Sequence, residues 1–158
     1  MIRGTRGFTL IELIVTLVIV GLLASAATPV IELTVRRNRE QDLRSALREI
    51  RTAIDAYKLA TDQGRVQRAT LQSGYPPTLS ALVEGVPDAR SPDKRVIYFL
   101  RRLPPDPNFP DANAKPADTW GKRSYASPPE RPEEGEDVFD VYSLSDKTGL
   151  NGRPYRGW

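Results

Sequence analysis

The 158-residue chain has no cysteine and no histidine, which excludes disulfides, thiolate metal sites, imidazole bases and the commonest zinc ligand. Its length suits one small domain plus an N-terminal segment too apolar for an ordinary soluble core. The formal charge is +3, from 23 basic and 20 acidic residues; without Arg3 and Arg6 the balance is 21 against 20, too near neutral to point to a nucleic acid partner.

Residues 8–31 carry Glu12 as their only charge. As a helix rising ~1.5 Å per residue, this run is long enough to cross a hydrocarbon layer of ~30 Å. A cleaved secretory signal is the rival reading, because Arg3 and Arg6 give a basic start and Ala24-Ser25-Ala26 has the small-x-small form. Its apolar part would be long for a signal and would contain a carboxylate, which count against it. Orientation is left undecided by the basic residues, since two arginines precede the run and Arg36, Arg37 and Arg39 follow it. Pro29 lacks an N–H and would leave the Ser25 carbonyl without its helical partner. Gly21 lowers helix propensity by ~1 kcal/mol relative to alanine. The segment between them should therefore be the easiest part to unwind, with a static kink as the alternative.

The helical pattern then continues in amphipathic form. Leu43, Leu47, Ile50, Ile54 and Tyr57 alternate steps of four and three and fall on one stripe, with Arg44, Arg48, Glu49, Arg51, Asp55 and Lys58 between them. Core packing within the same chain is the simplest use of such a stripe. Gly64 is a plausible stop, so a single helix is expected from about Phe8 to about Asp62, on the order of 80 Å long.

From Pro76 onward lie 13 of the 14 prolines, a density that forbids long helices and central strands. Thr78 could cap a short helix from Leu79 to Glu84, ended by Gly85-Val86-Pro87. Residues 96–100 form a short apolar run, strand or turn. Residues 138–144, Val-Phe-Asp-Val-Tyr-Ser-Leu, are rich in β-formers and make the best strand, with a shorter one expected at Arg123 to Ser127. Residues 108–118 and the acidic 128–137 read as loops. Glu133, Glu134, Glu136 and Asp137 could in principle flank a glycosidic bond, but neighbours in a charged run point different ways and are better read as a solvated loop.

Gly7-Phe8-Thr9-Leu10-Ile11-Glu12, placed after a short basic leader and opening a long apolar helix, resembles the processing motif of the type IV pilin and pseudopilin superfamily. The resemblance implies an α+β fold in which a long N-terminal helix packs on a small domain with a short antiparallel sheet and long loops. It implies a cleaved leader (1–7), a transmembrane and filament-core helix (8–31), an amphipathic continuation (32–62) and a periplasmic domain (63–158). Cleavage between Gly7 and Phe8 by a prepilin peptidase, N-methylation of Phe8, and pairing of Glu12 with the amine of a neighbouring subunit follow from it. Phe8 and Glu12 are also four apart on one helix, which leaves an intrachain pairing open. Gly21 and Pro29 match the helix-weakening residues of such segments, where melting accompanies assembly.

Within the superfamily, Tyr75-Pro76-Pro77, Leu100 to Pro107, Trp120-Gly121 and Phe139 to Leu144 occur in the order found in the major pseudopilins of type II secretion systems. That likeness implies a structural subunit, not an enzyme, which polymerises into a helical filament. Its implied partners are membrane lipid before assembly, an inner-membrane platform with its ATPase, minor pseudopilins and an outer-membrane secretin, with no nucleic acid. A type IV pilin or minor pilin, and a monomeric membrane-anchored binding module, are the alternatives. Residues 108–119 read as an insertion relative to the pseudopilins. Their loop after the last strand commonly holds Ca²⁺ with several acids; here residues 143–152 contain only Asp146, beside Lys147, with Asp140 just upstream. Asp146 and Asp140 are thus weak calcium candidates, no cofactor is expected, and Pro154 with burial of Tyr155 and Trp158 should hold the loop instead.

Overall fold

An apolar run and the amphipathic stripe that follows it form one helix, α1, Leu10–Asp62, close to the expected limits. The structure, a computed structural model, describes residues 7–158, and of residues 26–30 the backbone only. Two compact units divide at the middle of α1, Met1–Asn38 and Arg39–Trp158. Gly64 ends the helix with a left-handed backbone (φ 71°). The Gly64 and Arg65 N–H groups donate back to Thr61 O (2.8 Å) and Ala60 O (2.9 Å), so a Schellman turn satisfies the last carbonyls.

In the second unit the predicted stripe is the core. Leu43, Leu47, Ile50, Ile54 and Tyr57 are all buried, with Ala46, Ala53 and Ala60 beside them. They form one cluster with Leu79, Leu82, Leu100, Trp120, Val138, Val141 and Tyr155. Each large side chain so covered contributes about 1.5–3 kcal/mol relative to exposure.

The proline-rich tail supplies short elements that lie over this stripe. Helix α2, Ala81–Glu84, is shorter than expected: the Thr78 hydroxyl does accept from Ala81 N–H (3.3 Å), but the two residues between belong to the entering turn. The Leu82 carbonyl accepts from both Phe99 and Leu100 N–H groups. Strands β1 (Val86–Pro87) and β2 (Val96–Ile97) pair antiparallel, which decides the apolar run at 96–100 in favour of a short strand. Asp88 closes their connection. Its carboxylate accepts from Arg90 N–H and from Arg65 Nε and Nη2, and the Arg65 hydrogen bonds hold its carboxyl below the usual carboxylate range, assisted by the Arg90 amide.

The second sheet pairs β3, Trp120–Arg123, with β4, Asp140–Ser143, in the register Trp120↔Ser143 to Arg123↔Asp140. β4 lies inside the expected 138–144. The expectation of a strand at Arg123 to Ser127 is corrected: pairing begins three residues earlier and stops at Arg123. Beyond it Ser124 N–H turns to Glu133 O, Ser127 N–H to Ser124 O, and Tyr125 N–H to the Asp137 carboxylate (2.8 Å). Two main-chain carbonyls and one carboxylate, none of them on β4, thus take the donors a ladder would need. Gly121 faces Tyr142 across the sheet, where an added Cβ would fall 2.2 Å from the tyrosine ring, so the ring lies directly over the glycine.

The loop at 108–119 is closed at its base. Asp106 N–H donates to Thr119 Oγ1 (3.0 Å), Thr119 Oγ1–H donates to Pro116 O (2.8 Å), and buried Asp106 accepts from Ser143 Oγ (2.5 Å) and Asn108 N–H (2.8 Å). Between these ends the loop contributes a 3-10 turn at Pro116–Asp118. Trp120 is therefore held beside Pro104, whose carbonyl accepts its indole N–H (2.8 Å).

Candidate functional site: the start of the helix and the loop after β4

The first unit begins with a cap. Glu12 N–H donates to Thr9 Oγ1 (3.3 Å) and the Thr9 hydroxyl reaches Glu12 Oε2 at 3.5 Å, while Leu13 N–H donates to Thr9 O. This is half of a capping box, with Thr9 as the N-cap and Glu12 three residues on. The T-x-x-E spacing was available as a signal for it. The carboxylate contact is long, and Glu12 remains exposed; its charge is placed in the first turn of α1, where a helix N-terminus favours an anion.

Around Glu12 the apolar side chains are uncovered. Every large one from Phe8 to Leu23 is at least half exposed, Phe8 at 81% and Ile14 and Val15 at 50%. A helix apolar on all sides has no polar face to turn to water. Gly21 lies in this stretch with open space at its Cα. Pro29 and the leader residues 1–6 lie outside the described side chains, as does part of the expected 8–31 span. Among the described residues no helix is long and apolar enough to cross a membrane; the described apolar stretch of α1 stops at Ser25.

In the second unit the loop after β4 is bound to α1 by a residue the apolar pattern did not single out. Glu40, 3% exposed, accepts through Oε1 from Leu150 N–H (2.6 Å) and from the Tyr155 hydroxyl (3.1 Å). Its Oε2 lies 3.5 Å from Arg44 Nη2. Arg44 also stacks over the Trp158 ring at 4.3 Å, and that ring meets Tyr155 edge-on at 4.9 Å. Of the two aromatic residues expected to be buried, Tyr155 is and Trp158 is only partly so, and Thr148 bridges to Pro154. Buried Gly149 passes so close to Trp158 that a Cβ there would sit 2.4 Å from the ring. About two turns past Arg44 on α1, Arg51 donates to Asp140 Oδ1 (2.8 Å), Val141 O (3.1 Å) and Trp158 O (2.8 Å).

The two calcium candidates are not brought together as ligands. Asp140 faces Arg51 and, at 3.9 Å, Arg123, and Asp146 is exposed. Asn151 Oδ1, another oxygen the loop offers, accepts from Arg153 N–H (3.0 Å). The acids of 128–137 are mostly exposed, with Glu134 near Lys122 and Glu133 paired with Arg131, as expected of a solvated loop.

Comparison with known proteins agrees with the N-terminal pattern. The family described as "Prokaryotic N-terminal methylation motif" matches residues 2–28. The chain is 33% identical over 109 residues to a protein of Klebsiella michiganensis named type II secretion system core protein G, covering 66% of this chain and 69% of the relative. Proteins of the same name from Klebsiella pneumoniae (36% over 102 residues, 65% and 68% covered) and Aeromonas hydrophila (35% over 111 residues, 66% and 68% covered) are similar to it as well. No solved structure matches the chain.

Proposed function

The chain belongs to the type II secretion system core protein G family and is a pseudopilin subunit for type II secretion; from that premise we propose how its residues do the work. A prepilin peptidase cuts between Gly7 and Phe8, and the new amine on Phe8 is methylated. Residues 8–31 hold the subunit in the inner membrane, with residues 63–158 in the periplasm. An ATP-driven inner-membrane platform then moves it into a filament of identical subunits that works with minor pseudopilins and an outer-membrane secretin. The role is structural, with no catalysis, cofactor or nucleic acid.

The observation that carries this reading is the uncovered apolar surface from Phe8 to Leu23. Lipid before assembly and neighbouring helices after it can both cover such a surface, so the same side chains suit either state. Gly21 and Pro29 weaken the stretch that must adapt between the two.

Glu12 sets the register. A carboxylate in a membrane span costs up to ~2.5–3.5 kcal/mol near the middle and less near an end, so a paired position is favoured over every unpaired one. The Thr9 contact at 3.5 Å is too long to satisfy the charge, and cleavage creates a cation nearby, the amine of Phe8. Pairing with that amine on an adjacent subunit fixes one axial step. Glu12→Ala is expected to be cleaved like the parent yet fail to form the cross-linked ladders that assembled subunits give in whole cells. Normal ladders from the mutant would refute the pairing.

A further inference from the structure

We propose that in this pseudopilin the buried Glu40 carboxylate of α1 takes over the task that the family resemblance would assign to Ca²⁺, so that the loop after β4 is locked without a metal. The inference rests on family membership but not on the assembly mechanism above. A calcium ion needs six to eight oxygens, several of them anionic. Residues 143–154 offer one anion, Asp146, against two cations, Lys147 and Arg153. Asp140 is engaged by two arginines and Asn151 by an Arg153 amide. Among the described residues no three acidic, histidine or cysteine side chains gather as a metal site. The donor set therefore does not fit the ion.

What the loop does possess is a set of inward-facing donors. A calcium loop directs oxygens toward a central cation; this one directs the Leu150 N–H and the Tyr155 hydroxyl toward one anionic oxygen. The polarity is reversed, and an anion on the helix does what a cation in the loop would do. Its geometry is completed within the loop, where Gly149 N–H donates to Arg153 O (2.8 Å), Gly152 N–H to Gly149 O (3.0 Å) and Tyr155 N–H to Lys147 O (3.0 Å). Arg44 compensates the buried charge from the solvent side and also covers Trp158. An unpaired buried carboxylate would be strongly unfavourable, which is why acid, donors and arginine must be present together. Glu40 lies three residues before Leu43, on the extension of the core stripe, where an apolar side chain would otherwise be expected.

The test is hydrogen exchange, read by mass on peptides covering residues 144–158, using the full chain in detergent micelles with either CaCl₂ or EGTA. The parent protein should show the same protection in both, and isothermal titration with CaCl₂ should give no saturable heat. Glu40→Ala should lose about tenfold or more of the protection in this loop, on the scale of a charge-assisted hydrogen bond, while peptides from β3 keep theirs. Glu40→Gln, which retains an accepting oxygen, should fall between. Calcium-dependent protection in the parent, or a Glu40→Ala loop as protected as the parent's, would overturn the proposal. If Glu40→Ala loses the β3 protection too, Tyr155→Phe decides: it removes one donor only and should raise loop exchange selectively, and no selective change would also overturn it.

Discussion

Replacing Arg51 with alanine should destabilise the second unit by about 2–3 kcal/mol. The guanidinium donates to two main-chain oxygens, Val141 O at 3.1 Å and Trp158 O at 2.8 Å. Hydrogen bonds from a charged donor contribute ~1.5–3 kcal/mol each when dry, and competition with water at a side chain 38% exposed reduces that to about 1 kcal/mol each. The ion pair with Asp140 at 2.8 Å adds at most about 1 kcal/mol in so wet a position. Asp140 keeps Arg123 at 3.9 Å, so it is not left without a cation. A loss of this size lowers the melting temperature by about 10 °C for a unit of this length. It can be followed in the full detergent-solubilised chain by near-ultraviolet circular dichroism of Trp120 and Trp158. Arg51→Lys should lose more than half as much, because one ammonium cannot reproduce a planar fork directed at three oxygens. An alanine variant melting within about 2 °C of the parent would refute this reasoning.

Three other outcomes follow from the packing. Leu82→Ala, at a fully buried position, should cost about 3 kcal/mol in chemical denaturation. Thr119→Val keeps the shape but removes the acceptor for Asp106 N–H and the donor to Pro116 O; it should cost about 2 kcal/mol, and Thr119→Ser less than about 1. Asp88 has a folded-state pKa lowered mainly by the Arg65 hydrogen bonds, so its contribution is full above the ordinary carboxylate value and disappears as pH falls through the lowered one. The melting difference between the parent and Asp88→Asn should accordingly be constant from pH 7 to about pH 5 and shrink below about pH 4; a difference unchanged at lower pH would contradict the assignment.

Much of the fold was legible because its signals are local. The stripe from Leu43 to Tyr57 needs only helical geometry, and Gly64 marks the end because a left-handed turn favours glycine. β3 was displaced because its start at Trp120 depends on Ser143, a partner 23 residues away, whereas Tyr125 and Ser127 are β-formers or neutral residues whose amides are captured by neighbouring acceptors. The burial of Glu40 is hidden in the sequence for a similar reason. A charge between helical arginines normally reads as exposed, and only its place on the core stripe indicates burial; its partners lie 110 and 115 residues along the chain. Arg51 likewise sits at the margin of the stripe, with β4 and Trp158 as partners that no spacing rule reveals. The N-terminal segment was the opposite case, since Gly7, Phe8 and Glu12 are adjacent in sequence and the motif needs no tertiary context to be seen.

The most direct test of the account is the intact mass of the full protein recovered from membranes of cells with an active prepilin peptidase. A chain beginning at Phe8 and carrying one added methyl group is predicted. A mass that retains Met1 to Gly7, or one that begins after Ala26, would contradict it.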